Sequence, residues 1–195
     1  MEIIKKKNLQ KLKTAILNPF TQYPKYSSER YLIKLCEKFK IKWNILRFFN
    51  VYGPGQDLSR TDQGIVSIFL DLIRNKNNID VNGSLKRFRD LIYIDDVIKA
   101  LILTLKDKKN FNQIYNVGTG KKTTVKKLIQ SISKLYGKEK LLKVKVTNPT
   151  PGDILGCYSD QKKIKKDLKF KANFNLSQGL KLFKDWAEQN YYISK

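Results

Sequence analysis

Residues 47–54 read Arg47-Phe48-Phe49-Asn50-Val51-Tyr52-Gly53-Pro54, an aromatic and apolar run that stops at a glycine-proline turn. With Lys42-Trp43-Asn44-Ile45-Leu46 before it, the run has strand composition, and loop residues rather than a helix follow Gly53-Pro54-Gly55. Upstream, Ser27-Ser28-Glu29-Arg30 predicts a helix to about Phe39, with Ser27 as its N-cap and Tyr31, Leu35 and Phe39 at helical spacing. Pro24 is expected to hold Tyr23 out of helical geometry. Downstream, a loop over 53–62 leads into an amphipathic helix from about Gly64 to Lys76. Short strands follow at 79–81 and 91–94, then an Asp-capped helix from Asp95 to Leu105. A strand at 113–117 enters the Gly118-Thr119-Gly120 turn and a helix from about Thr124 to Tyr136. After a strand near 142–146, Asp160 and Ser177 are candidate caps of two last helices, the second reaching about Asn190. There is no internal repeat and no long linker, and the alternation of helix and strand predicts an α/β fold.

A chain of 195 residues with 41% hydrophobic content has the composition of one globular domain, or of one domain with a small lobe. No run reaches the ~18 apolar residues of a membrane span, and Met1-Glu2-Ile3-Ile4-Lys5-Lys6-Lys7 lacks a signal-peptide core. The reading is cytoplasmic, with no membrane partner. Cys36 and Cys157 make neither a disulfide framework nor a zinc set, and there is no His, so no metal site is expected and His-based nucleophilic catalysis is excluded. Acid-base chemistry must use Lys, Tyr, Asp or Glu. The net charge of +23 is spread along the chain, with short clusters at Lys5-Lys6-Lys7, Lys162-Lys163 and Lys165-Lys166 and no interleaved stacking aromatics. That pattern describes a solvated lysine surface, or attraction of an anionic small substrate, and disfavours nucleic acid. Gly118-Thr119-Gly120-Lys121-Lys122-Thr123 has neither GxGxxG nor Walker spacing and reads as a tight turn. Asp95-Asp96 reads as a helix start rather than a catalytic pair.

Three further phrases follow residues 47–54 in order: Arg89-Asp90 leading into Leu91-Ile92-Tyr93-Ile94-Asp95-Asp96-Val97, then Tyr115-Asn116-Val117-Gly118-Thr119-Gly120, then Pro151-Gly152-Asp153. With these four phrases, residues 18–190 resemble the C-terminal part of an NAD-dependent sugar-nucleotide epimerase/dehydratase of the extended short-chain dehydrogenase type. The resemblance implies the C-terminal part of a Rossmann-like, doubly wound parallel sheet plus a small α/β substrate-binding lobe. The N-terminal dinucleotide-binding half is expected to be absent, because nothing before residue 47 resembles its glycine-rich strand-turn-helix. Residues 1–20 are expected to be an irregular N-terminal remnant, with the two kinds of segment interleaved over 21–195.

The resemblance also implies residue roles. The family pairs a catalytic Tyr with a Lys four residues later, a Glu four beyond that, and an Arg twenty-two residues after the Lys. Counting back from Arg47 gives Lys25, with Glu29 at the expected spacing, and puts Thr21 where the Tyr belongs. The implied catalytic positions are thus Lys25 and Thr21, and the implied NAD contacts are Lys25 and the backbone of Phe49. A threonine hydroxyl cannot replace a phenol as base; it can relay a proton or bind sugar. Asn50 and Arg89 are implied to meet the substrate diphosphate, and Ile65, Val66, Asp80 and Asn82 to line the nucleobase. Relatives carry Arg where Thr150 stands and commonly an aromatic where Asn82 stands. The implied activity is NAD-dependent epimerisation or dehydration of a nucleotide-diphosphate sugar, with UDP-glucose or UDP-N-acetylglucosamine 4-epimerisation leading. The expectation is a truncated product. Alternatives are a non-catalytic fragment, a split-enzyme subunit completed by an N-terminal chain or a homodimer, and a polyanion-binding module.

Overall fold

The computed structural model describes residues 19–60, 64–149 and 154–191. Residues 1–18 of the expected N-terminal remnant, Thr150 and the Pro151-Gly152-Asp153 phrase lie outside them. The elements in chain order are α1 (Pro19–Lys38), β1 (Asn44–Phe48), β2 (Asn50–Tyr52), α2 (Ile65–Asn75), β3 (Asn78–Asn82), β4 (Phe88–Arg89) and β5 (Leu91–Tyr93). There follow α3 (Ile94–Lys106), β6 (Gln113–Val117), β7 (Thr123–Thr124), α4 (Val125–Leu135), β8 (Lys143–Thr147), α5 (Lys162–Leu168) and α6 (Leu176–Tyr191).

Three two-stranded ladders are parallel: β1 with β6, β2 with β5, and β3 with β8. β4 and β7 pair antiparallel, Arg89 opposite Thr123. Parallel pairing requires crossovers, which the helices between the strands provide. β1 and β2 are separated only by Phe49, where the chain changes ladders. Phe49 N still donates to Val117 O of the first ladder (3.0 Å), and Asn50 N donates to Asp90 O beside the second (3.0 Å).

Two apolar clusters hold these ladders. In one, α2 contributes Val66, Phe69, Leu70 and Ile73, and α4 contributes Val125, Leu128, Ile129 and Ile132. Each set repeats at i, i+3, i+4, i+7, so one stripe of each helix faces inward. α6 adds Leu180, Phe183 and Ala187 against Tyr52 and Tyr93. Gly179 sits at that contact, where a Cβ would lie 2.2 Å from Tyr52 Oη; the helix approaches the strand pair so closely that only a hydrogen fits. The second cluster joins Ile92, Tyr115 and Val117 of the strands to Val97 and Ala100 of α3 and to Ile164, Leu168 and Phe170.

Several expected helix ends are corrected. α1 begins at Pro19 and runs through Pro24, so Ser27 is an interior residue rather than a cap and Tyr23 is helical. Pro24 forfeits one backbone bond, while Ser28 Oγ donates to Pro24 O (2.9 Å). Asp95 and Asp96 do lie in the first turn of α3, but its N-cap is Tyr93 and no side-chain cap bond forms there. The Asp96 carboxylate is instead buried and accepts from Asn173 N (2.7 Å) and Phe174 N (3.1 Å), fastening the entry to α6. That helix is capped not by Ser177 but by a reciprocal pair, Asn175 and Gln178, each side chain accepting the other's N–H at 3.0 Å.

Candidate functional site

Asp90 organises the site. Its side chain is 0% exposed, and five donors surround it. Oδ1 accepts from Thr119 N (2.8 Å) and Thr119 Oγ1 (2.5 Å); Oδ2 accepts from Gly120 N (2.9 Å), Ser159 N (3.0 Å) and Ser159 Oγ (2.5 Å). A Cβ on Gly118 would stand 2.5 Å from both Asp90 Oδ2 and Ser159 Oγ, so glycine is required for this approach. The Gly118-Thr119-Gly120 turn therefore does bind an anion, namely the protein's own carboxylate. One buried group ties together the junction of β4 and β5, the turn after β6 and the segment before α5.

This knot sets the positions of two expected substrate residues. Asn50 follows the ladder switch and is bonded through its N–H to Asp90 O, so it lies next to the strand that carries Arg89. Both side chains are half-buried. Arg89 Nη1 donates to Phe88 O (2.9 Å) and Ile154 O (3.5 Å). Residues 154–159 run along β4: Phe88 N donates to Leu155 O (2.9 Å), Phe88 bridges to Gly156, and Ser159 ends on Asp90. The Cys157 thiol lies in this segment; burial pushes its pKa up, the Arg89 charge opposes that and the Asp90 charge adds to it.

On the other side, Glu29 of α1 grips Arg47 of β1 with both oxygens, Nε to Oε1 at 2.8 Å and Nη2 to Oε2 at 2.5 Å. The hydrogen bond to Glu29 raises the Arg47 pKa against the opposing effect of burial. These are the two residues that fixed the Lys25 register by counting, and they touch. The chain turns back between α1 and β1, with Ile41 N bonded to Cys36 O (2.8 Å), so the N-terminal end of α1 lies toward the carboxyl end of β1. Lys25 is one helical turn, about 6 Å, further in that direction and is exposed. Phe49 and Asn50 continue from that same strand end. Thr21 is in α1 four residues before Lys25, and its side chain lies outside the described residues.

The residues expected at the nucleobase form a second group. Ile65 and Val66 open α2; Val66 is 2% exposed and packs in the core. Asp80 and Asn82 project from the exposed face of β3, whose alternate residues Ile79 and Val81 are buried. Asn82 Oδ1 accepts from Thr147 Oγ1 of β8 (2.7 Å). A cavity of about 210 Å³ lies between the loop after β2 and the start of α2, lined by Gln56, Asp57, Arg60 and Ser67. Small-molecule sites typically measure ~300–1,000 Å³, so this cavity does not by itself enclose a nucleotide sugar.

A dinucleotide needs a grip on its pyrophosphate, and the described residues do not supply one. The one glycine turn leading from β6 toward a helix is filled by Asp90, and ahead of β1 stands α1 rather than a glycine-rich turn. Sequence reasoning quoted Asp90 without giving it a role and overlooked Ser159; the available signal was a carboxylate fixed beside Arg89 together with glycines at 118 and 120.

Among the described residues no helix is long and apolar enough to cross a membrane, and no cluster of His, Cys, Asp and Glu suits a metal ion. Comparison with known proteins gives a consistent result. A Methanocaldococcus jannaschii protein that bears a provisional UDP-glucose 4-epimerase name is 33% identical over 177 residues, covering 89% of this chain and 55% of that protein. The crystal structure of Thermotoga maritima UDP-glucose 4-epimerase with UDP-glucose superposes with a TM-score of 0.77 at 32% identity, covering 85% of this chain and 52% of that one. The Thermus thermophilus UDP-glucose 4-epimerase complex with NAD gives 0.71 at 28% identity, covering 83% and 51%. The chain thus spans about half the length of these relatives. The family model described as NAD dependent epimerase/dehydratase matches residues 4–118, more than half of the chain. With its α/β architecture and parallel ladders in agreement, this chain belongs to the NAD-dependent epimerase/dehydratase family.

Proposed function

We propose that this chain holds a nucleotide-diphosphate sugar, UDP-glucose or UDP-N-acetylglucosamine, as the substrate-binding portion of an NAD-dependent 4-epimerase. The observation that carries the reading is the Asp90 knot, which sets Asn50 and Arg89 on neighbouring strands where β1 and β6 end. Ligands of open α/β sheets bind outside the carboxyl ends of the strands. An arginine fork and a side-chain amide suit a diphosphate, since the fork makes paired, charge-assisted bonds to phosphate oxygens. The chain's positive charge attracts such an anion.

Lys25 then stands at the carboxyl end of β1, on the ribose side of the reacting sugar. Thr21 takes the place of the family tyrosine. Its hydroxyl does not ionise near neutral pH, so its role here is to hydrogen-bond a sugar hydroxyl rather than to remove its proton. NAD, when bound, supplies the hydride chemistry of this family's reaction.

Calorimetric titration tests the reading. UDP-glucose is expected to bind the isolated chain, and Arg89→Ala to cost about 1.5–3 kcal/mol of binding energy, the range of a charge-assisted contact. NAD is expected to give no binding at micromolar concentrations. Equal UDP-glucose affinity for wild type and Arg89→Ala overturns the assignment.

A further inference from the structure

Among the described residues, three other than glycine have a left-handed backbone, and all three gather at one end of the molecule: Lys40 (φ 54°), Asn112 (φ 59°) and Lys169 (φ 52°). Asparagine tolerates that conformation, but at a helix end glycine ordinarily takes it. Lys40 closes α1 in a Schellman turn, with Lys40 N on Glu37 O (3.2 Å) and Ile41 N on Cys36 O (2.8 Å). Lys169 is the C-cap of α5. Two helix ends thus carry a strained lysine where glycine would sit without strain.

The segments around them touch. Trp43 N donates to Asn112 Oδ1 (3.1 Å), Asn112 N donates to Trp43 O (2.6 Å), and Lys42 Nζ stands 4.5 Å from the centre of the Phe111 ring. Asn110 Nδ2 reaches Asp167 O (3.5 Å). Residues 37–42, 106–111 and 165–171 therefore lie together at the amino ends of β1 and β6. They hold ten exposed lysines against three carboxylates, Glu37, Asp107 and Asp167. Two of those carboxylates are already engaged, Asp107 by Lys109 N and Asn110 N and Asp167 by the Tyr115 hydroxyl. Between Lys38, Lys40 and Lys42 stand Phe39 and Ile41, 59% and 56% exposed.

We propose that this end of the molecule docks on an anionic phospholipid bilayer, with the lysine ammonium groups among the headgroups and Phe39 and Ile41 inserted between them. Binding of this kind scales with buried apolar area and with attraction to anionic lipid. The composition favours a bilayer over nucleic acid. These segments contain no arginine, whose fork suits individual phosphates, and Ile41 offers no face on which a base could stack. The expectation of no membrane partner rested on the lack of a spanning run, and surface contact needs none. Asn50 and Lys25 lie at the carboxyl end of β1, about 16 Å away at ~3.3 Å per residue, so docking leaves the candidate site open to solution.

The test sediments the full chain with phosphatidylserine–phosphatidylcholine vesicles and with phosphatidylcholine vesicles. Binding is expected to the first and not to the second, and to fall steeply as salt is added. Lys40→Gly with Lys169→Gly is expected to weaken it about 25-fold, roughly fivefold for each lysine at the membrane surface, while leaving Tm equal or higher because the backbone strain is relieved. Phe39→Ser with Ile41→Ser is expected to weaken it at least tenfold, with circular dichroism checking the fold. Lys126→Ala with Lys127→Ala removes the same charge from α4, where both side chains are exposed, and is expected to leave binding unchanged. Absence of vesicle binding overturns the proposal, as does equal weakening by the two lysine pairs, which assigns the effect to net charge alone. An oligonucleotide that binds more tightly than the vesicles at the same salt, and loses that binding in the Lys40→Gly, Lys169→Gly variant, also overturns it by giving the surface to nucleic acid. The outcome is independent of whether UDP-glucose binds.

Discussion

Replacing Asp90 by Asn changes one atom in a buried site, and its cost can be worked from the bonds. Two hydroxyls and three backbone N–H groups donate to the carboxylate. The hydroxyls can turn to other acceptors, but the backbone donors cannot. If the Asn oxygen takes the Oδ2 position, it keeps Gly120 N and Ser159 N and leaves Thr119 N facing an amide NH2. The opposite flip leaves both Gly120 N and Ser159 N facing it. The first is preferred, and it strands one buried donor at about 1–3 kcal/mol while removing the charge from the remaining bonds. We expect a total loss of about 3 kcal/mol, a large share of the ~5–15 kcal/mol by which a domain is stable. Urea unfolding monitored by circular dichroism measures it, and hydrogen exchange localises it to the amides of residues 119, 120 and 159. A midpoint shift worth less than 1 kcal/mol, with unchanged protection at those amides, would refute the view that Asp90 holds these segments together.

Gly179→Ala should destabilise by about 1–2 kcal/mol although alanine favours helix by ~1 kcal/mol, because the new methyl would meet Tyr52 Oη at 2.2 Å and Tyr93 Cδ2 at 3.1 Å and overpacking costs ~1–3 kcal/mol; a raised Tm contradicts this. Lys138→Met should cost about 1–2 kcal/mol in urea unfolding, since Lys138 Nζ caps the end of α2 at Ile73 O and Arg74 O, both 2.9 Å; an unchanged midpoint contradicts it. Tyr115 has its pKa pushed up to about 12 by burial, with the Asp167 charge and hydrogen bond adding to it. Its folded state keeps a proton that the unfolded chain releases near pH 10, so this contribution is full below pH 10 and is lost as pH rises to about 12, worth roughly 2–3 kcal/mol. Wild type should therefore lose more stability than Tyr115→Phe between pH 9 and 12; parallel declines contradict the assignment.

Strands and the helices with one apolar stripe were legible in the sequence because their periodicity is local. The 113–117 strand and the α2 and α4 stripes follow directly from residue spacing. Helix ends were less legible, since caps answer to tertiary partners. Asp96 looked like an N-terminal residue serving its own helix, yet its carboxylate is used 77 residues away at Asn173. Pro24 looked like a boundary, but α1 passes through it and is held on β1 by the Glu29–Arg47 pair. In the site, the glycine turn was correctly judged structural, though what fills it was hidden: Asp90, Thr119 and Ser159 meet only when three distant segments pack. Lys25 was placed by counting from Arg47 and Glu29, and their direct contact shows why that spacing has physical meaning.

The most direct test of the account sets UDP-glucose against a short single-stranded oligonucleotide, each titrated into wild type and Arg89→Ala at 50 mM and 200 mM salt. The account predicts that UDP-glucose binds, that Arg89→Ala weakens it about tenfold or more, and that the oligonucleotide binds weakly with an affinity that collapses with salt through counterion release. Tight oligonucleotide binding that is indifferent to Arg89, with no binding of UDP-glucose, would contradict it.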